Sequence, residues 1–266
     1  MTAVPLALHD SATMLRRSLR RMRRYPSMTV ILVGMPIVFL LLFVYVFGGA
    51  LGAGIGGAEA GGAGRAVYVD YVTPAIIVMT AAAAAQGTAI SVAMDMTEGI
   101  IARFRTMAIS PGSVLAGHVL GSVIQSLLAM FVLLVVGLLI GFRPAAGPLD
   151  WLALLGLLTL VAFALTWLSV ALGLLSKSAE TASNTPMFLI LLPFLGSGFV
   201  PVETMPTAVR WFAEYQPFTP IIETVRGLLQ GAPDGAAAAW AVGWSLAVAV
   251  AGYLWARALY RRERVR

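Results

Sequence analysis

Residues 114–140 read VLAGHVLGSVIQSLLAMFVLLVVGLLI, and the middle of this run holds no ionisable side chain. A bilayer core of about 30 Å needs about 20 apolar residues of helix, so the stretch is long enough to cross a membrane. Inside hydrocarbon each backbone N–H and C=O must be paired within its own segment, which makes a helix the solution. Five further apolar runs follow the same logic, at residues 28–47, 72–93, 151–175, 182–200 and 236–260. The run at 182–200 is the least regular: Pro186 and Pro193 lie inside it and Gly196-Ser-Gly198 closes it, so a short or kinked span is expected. The whole composition agrees. The chain is 59 % hydrophobic and 11 % charged, with a mean hydropathy of +0.89. A soluble domain carries about 25 % charged residues, so most of this surface must face lipid. With no cysteine there is no disulfide framework and no thiolate metal site.

Orientation follows from arginine and lysine in the loops. Six spans put both termini on one side. That side collects Arg16, Arg17, Arg20, Arg21, Arg23 and Arg24 at the N-terminus, Arg257, Arg261, Arg262, Arg264 and Arg266 at the C-terminus, and Arg103, Arg105 and Lys177 between spans. The opposite face holds Arg65, Arg143, Arg210 and Arg226. The asymmetry places both ends in the cytoplasm of a plasma (inner) membrane. A cleaved signal peptide is the competing reading, with Arg16-Arg17 hinting at a twin-arginine signal. The apolar run is long for a signal sequence, and cleavage would spoil the asymmetry, so an uncleaved first span is expected. The net charge of +6 comes mainly from the terminal arginines and addresses topology and lipid headgroups, not nucleic acid.

Between the spans, four segments carry information. Before the first, Leu15, Leu19 and Met22 form one helical stripe with Arg16, Arg17, Arg20 and Arg21 off it. Such a segment fits an interfacial helix against anionic lipid, or a bare topology signal. The first outer loop contains Gly52-Ala-Gly-Ile-Gly-Gly57, a formal G-x-G-x-x-G, but it follows a membrane helix, so a flexible linker is expected. The loop at 95–111 interleaves charged and apolar residues. Ile100, Ile101, Phe104 and Met107 share a stripe, with Glu98, Arg103 and Arg105 off it. This short amphipathic helix suits docking into a partner's groove, and equally suits lying on the membrane. Residues 201–235 are too apolar for a solvated loop and are cut by Pro201, Pro206, Pro217 and Pro220. Short helices re-entering the outer leaflet are expected there, with an extracellular cap as the alternative.

Two of these stretches carry a family resemblance. Residues 98–110, EGIIARFRTMAIS, and residues 198–229, GFVPVETMPTAVRWFAEYQPFTPIIETVRGLL, resemble the type-2 ABC exporter permeases (ABC-2 type), and within them the daunorubicin- and doxorubicin-resistance-like branch of antibiotic exporters. Ala108 stands where that branch tends to have proline, and Pro111 where a basic residue is common. The resemblance implies an all-α integral membrane protein of six transmembrane helices in one domain over residues 1–266: a cytoplasmic N-terminus (1–27), a six-span bundle (28–260) and a cytoplasmic tail (261–266). It also implies an N-terminal elbow helix (Arg16, Arg17, Arg20, Arg21), a coupling helix between spans 2 and 3 (Glu98, Gly99, Arg103, Phe104, Arg105), and an outer gate between spans 5 and 6 (Pro201, Glu203, Pro206, Trp211, Pro217, Arg226). The implied partners are separate ABC ATPase subunits, a second permease copy or a paralogue, and membrane lipid.

No G-x-x-x-x-G-K-[ST] occurs, so the chain has no P-loop; ATP and Mg would sit on the partner ATPase and no cofactor is bound directly. Polar residues of the second and third runs, among them Gln86, Ser91 and Gln125 with Thr88, Ser122 and Ser126, are candidates to line a pathway; interhelical hydrogen bonding is the stronger reading of them. An ion-coupled transporter would carry ionisable relays deep in its spans, whereas Asp95 and His118 sit near ends. An intramembrane enzyme would need a nucleophile, base or metal cluster, and with only His9 and His118 a zinc site or histidine triad is not expected. Within the exporter class, a glycan or glycolipid permease is the alternative to a drug exporter.

Overall fold

The computed structural model describes residues 13, 16, 20, 26–56, 64–97 and 111–262, and every regular element among them is helical. Helix α1 (Pro26–Leu41) runs through a π-helical turn (Leu42–Phe47) into α2 (Gly48–Gly56). Then come α3 (Gly64–Thr97), α4 (Pro111–Ile140) and α5 (Pro148–Leu175). Short pieces follow: α6 (Ala179–Asn184), α7 (Met187–Leu191), α8 (Thr207–Tyr215) and α9 (Phe218–Leu229). The chain closes with α10 (Gly235–Arg262).

Five helical stretches are long and apolar enough to cross a membrane: Val30–Ile55, Gly64–Thr97, Leu115–Ile140, Pro148–Leu175 and Gly235–Arg261. Helices α3 and α5 form the buried centre. Helices α1, α4 and α10 turn apolar side chains outward, among them Val30, Ile31, Leu128, Phe131, Trp240 and Leu254. In a protein whose solvent is hydrocarbon, that outward face needs no cover. The ends of α5 show the local logic. Pro148 takes the first helical position, where a missing N–H costs nothing, and Asp150 Oδ2 accepts the Gly147 N–H at 2.8 Å.

Two expectations are corrected. The glycine-rich stretch after Phe47 is not a loose linker as far as Gly56: it continues the first helix. A Cβ on Gly52 would run into the backbone of Gly64, so glycine here permits α2 and the start of α3 to touch backbone to backbone. Gly57 and the rest of that loop lie outside the described residues. The second run begins earlier than hydropathy indicated, at Gly64, because its first two turns bury Tyr68 and Val69 against the rest of the bundle.

Residues 182–200, expected to be short or kinked, form no continuous helix. Pro186 and Pro193 each remove a backbone donor, and the segment breaks into α6, α7 and a 3-10 turn (Leu192–Leu195). It still runs beside α3 over several turns. Near its start, Gln86 Nε2 donates to the Ser183 carbonyl; near its end, Tyr71 Oη donates to Ser197 O at 2.9 Å and Tyr68 Oη to Phe199 O at 3.4 Å. Gln86 and Tyr71 are separated along α3 by about 22 Å at 1.5 Å per residue. An aromatic stack docks the π-helical turn after α1 on this segment: Phe194 and Phe199 lie parallel at 4.3 Å, with Phe43 4.5 Å from Phe199.

Helix α9 then folds back. Pro217 and Phe218 lie beside Val161 and Leu165 in the middle of α5 and beside Trp244 and Val248 in α10, around an apolar cavity of about 150 Å³. From there α9 rises about 18 Å to Leu229, whose carbonyl accepts the Ala145 N–H at 2.9 Å in the turn between α4 and α5.

Candidate functional site

The densest polar constellation lies where α9, α3 and residues 196–197 meet. Arg226 Nη2 donates to Ser197 O at 2.7 Å and to Tyr71 O at 3.2 Å, and Nε reaches the same Tyr71 carbonyl at 3.3 Å. Its guanidinium also stacks 3.9 Å from the Tyr71 ring. Pro74, three residues on, has no N–H to give the Asp70 carbonyl, so the hydrogen-bond ladder of α3 is interrupted beside Tyr71. Below it, Gln216 Nε2 donates to Leu192 O at 2.9 Å, and the Thr219 hydroxyl bonds the Ala213 carbonyl. These side chains satisfy carbonyls that the broken helix leaves free. Gly196 makes room: a Cβ there would lie 2.2 Å from Gln216 Nε2.

The other arginines of this end are anchored too. Arg143 Nη1 donates to Leu138 O at 3.0 Å, closing the end of α4, while its backbone N–H meets Asp70 Oδ1 at 3.2 Å. Arg65 sits 5.2 Å from the Tyr45 ring, and Arg210 pairs with Glu214 at 2.7 Å on exposed α8. Of the gate candidates, Pro201 precedes a 3-10 turn that holds Glu203, Pro206 precedes α8, and Pro217 precedes α9. Trp211 is 66 % exposed and shares the open face of α8 with Tyr215.

A second polar seam joins α3 to its neighbours. Gln86 is engaged by Ser183 O, and the Thr88 and Ser122 hydroxyls bond each other across α3 and α4. Ser126 is buried, while Ser91 and Gln125 are half-buried. Towards the end of α3, His118 Nε2 of α4 donates to Asp95 Oδ2 at 3.1 Å. Arg16 and Arg20 are helical and exposed, whereas Arg17 and Arg21 lie outside the described residues. Glu98, Gly99, Arg103, Phe104 and Arg105 lie outside them as well. Among the described residues no group of three His, Asp or Glu side chains is placed to hold a metal ion.

The architecture is thus a lipid-facing bundle with a polar knot at one end and short helices folded into it. A family profile described as ABC-2 type transporter matches residues 10–229. The chain belongs to the ABC-2 type transporter family. It is therefore a multi-pass membrane transport subunit, and an ATPase partner belongs to its transporter complex. This ABC-2 type chain is similar to the daunorubicin resistance ABC transporter permease protein DrrB1 of Streptomyces coeruleorubidus, 29 % identical over 243 residues covering 91 % of this chain and 81 % of that protein. It is also similar to the doxorubicin resistance ABC transporter permease protein DrrB of Mycobacterium tuberculosis, 32 % identical over 117 residues covering 44 % of this chain and 40 % of that protein.

Sequence reading of this ABC-2 type chain did not identify Tyr71 and Ser197 as the partners of Arg226, nor the pairing of Asp95 with His118. A signal for the first existed: Tyr68 and Tyr71 share a helix face just before a proline, where a span that faced only lipid would not need them.

Proposed function

We propose that this chain is the permease subunit of an ATP-driven exporter that moves hydrophobic, drug-like compounds out of the cell. The observation that carries the reading is similarity along 91 % of the chain to a permease named for daunorubicin resistance. ATP and Mg are held by separate ATPase subunits, and the path lies between two permeases, either two copies or this chain and a paralogue. The chain crosses the plasma (inner) membrane six times, the fifth time as the broken segment through 182–200, with both termini in the cytoplasm. Support comes from the arginine asymmetry and from the climb of that segment along α3.

In this reading α8 and α9 are a re-entrant hairpin that closes the outer side, with Pro201, Glu203, Pro206, Trp211, Pro217 and Arg226 in it. Glu98, Gly99, Arg103, Phe104 and Arg105 form the coupling segment for the ATPase, and Arg16, Arg17, Arg20 and Arg21 the elbow in the headgroup layer. Gln86, which donates to the Ser183 carbonyl, and the half-buried Ser91 and Gln125 are the polar side chains assigned to the pathway. Nucleotide binding closes the ATPase pair and shifts the permeases from one state to another; coupling requires such a two-state element.

Co-expression with the ATPase and reconstitution into liposomes test the reading. A co-purifying complex and ATP-dependent efflux of daunorubicin are expected. Arg103→Glu together with Arg105→Glu is expected to cut assembly by about tenfold, since like charge at a docked interface costs on the order of 1 kcal/mol or more. Intact assembly and transport would move the coupling segment elsewhere. A reporter active only in the periplasm, fused after Arg266, is expected to stay silent; an active fusion would rule out the six-crossing topology.

A further inference from the structure

Asp95 and His118 meet across α3 and α4 at 3.1 Å, with Asp95 only 2 % exposed and His118 11 %. The pair sits near the base of the segment that joins these helices. Asp95 falls in the last turn of α3, which ends at Thr97, and His118 lies on α4, which starts at Pro111. The first two turns of α4 therefore reach about 10 Å beyond the pair. Between the two helix ends lies the segment assigned above to the ATPase, and the inference rests on that reading.

Adhesion alone does not account for this contact. Further along the same helices, the α3–α4 seam is closed by apolar side chains and by the Thr88–Ser122 hydroxyl bond. A buried carboxylate is costly to desolvate, and apolar residues of similar size hold two helices together as well or better. What a directional, partnered charge adds is register: it specifies one arrangement of two elements against near alternatives. Its position decides which movement that register controls. A load applied to residues 98–110 acts on the end of α3 and, through the projecting turns, on α4. Without a fixed point the two helices can slide or splay and the load is dissipated locally.

We infer that the Asp95–His118 pair is a clamp that makes α3 and α4 move as one body when the ATPase presses on the segment between them. Both are positioning residues: they set how much transport each hydrolysed ATP yields, without touching nucleotide or cargo.

The test uses the full-length chain with its ATPase in liposomes and reads ATP hydrolysis and daunorubicin efflux together. Asp95→Leu combined with His118→Leu replaces the pair by apolar packing. Its melting temperature is expected to equal or exceed that of the wild type, while efflux per ATP falls by about tenfold. His118→Gln keeps an N–H within reach of the carboxylate and is expected to stay within about twofold of the wild-type ratio. A double-leucine variant with wild-type efflux per ATP would overturn the clamp, because a merely adhesive contact predicts that result. If that variant does not fold, His118→Ala is read on the same ratio, and an unchanged ratio overturns the clamp as well. A wild-type chain that recruits no ATPase would overturn the exporter reading and this inference with it; coupled wild type beside an equally coupled leucine variant overturns the clamp alone.

Discussion

Replacing Arg226 by alanine is expected to lower the stability of the bundle by about 4 kcal/mol or more and to cut daunorubicin efflux by about tenfold or more. The side chain donates to two backbone carbonyls, Ser197 O at 2.7 Å and Tyr71 O at 3.2 Å, and stacks on the Tyr71 ring at 3.9 Å. Hydrogen bonds from a charged donor contribute about 1.5–3 kcal/mol each, and the stacking adds about 1 kcal/mol. Alanine removes all three and leaves the carbonyls in surroundings with little water to replace the donor. The consequence is local before it is global: α9 loses its polar tie to α3, and the hairpin proposed to close the outer side keeps its apolar face with the Gln216–Leu192 and Leu229–Ala145 bonds. Arg226→Lys should recover part of the stability and less of the transport. An ammonium keeps the charge, but it lacks the planar fork that spans two acceptors while lying on a ring. Thermal unfolding followed by tryptophan fluorescence reads stability, and liposome efflux reads function. Wild-type values of both for Arg226→Ala would remove α9 from any gating role.

The other large effect is expected from two glycines that set helix distances around α5. Gly252 on α10 faces the α5 backbone so closely that a Cβ would lie 2.6 Å from Leu168 N and 2.9 Å from the Trp167 carbonyl carbon. On the other side, a Cβ on Gly173 would lie 2.6 Å from Ala89 O and 3.0 Å from the Val92 Cβ on α3. The obstructing atoms are largely backbone, so no side-chain rotation relieves the clash. Gly252→Leu or Gly173→Leu must push whole helices apart, at a cost of at least about 3 kcal/mol, and is expected to abolish recovery of folded protein. Gly243→Leu and Gly156→Leu, on the same two helices, add side chains where no neighbour lies within 4 Å. Both are expected to leave the melting temperature within the range of ordinary surface changes, about 0.5 kcal/mol. Equal behaviour of the four variants would show that α5 does not pack against α3 and α10 as described. Van der Waals closeness of small residues drives helix association in lipid, where burial of apolar surface from water is unavailable as a force.

How much was legible in advance depended on whether a feature is local. Residues 114–140 are helical because a helix satisfies its own backbone, whatever packs beside it. The same holds for the other long runs, and it explains why glycines 48–56 stay helical where composition indicated a linker. In hydrocarbon, a disordered glycine run would leave its amides unpaired. The irregularity near Pro186 and Pro193 was readable too, since proline breaks the ladder in any context. What could not be read was where the broken chain goes. Its path is fixed by contacts between Tyr71 and Ser197 and between Arg226 and Tyr71, pairs separated by 126 and 155 positions.

The run that decides the fold, 114–140, therefore determined from its own residues that the chain crosses a membrane as helices, and the loop arginines carry the proposed orientation. Only the tertiary structure decided that Thr88 meets Ser122, that His118 in this run meets Asp95, and that Arg226 turns inward to carbonyls beside Pro74. The reason is physical. Span formation is set by the transfer of a segment from water to lipid, a sum over its own residues. Partner choice among buried polar groups is set by which helix ends come level once small residues have let the helices touch.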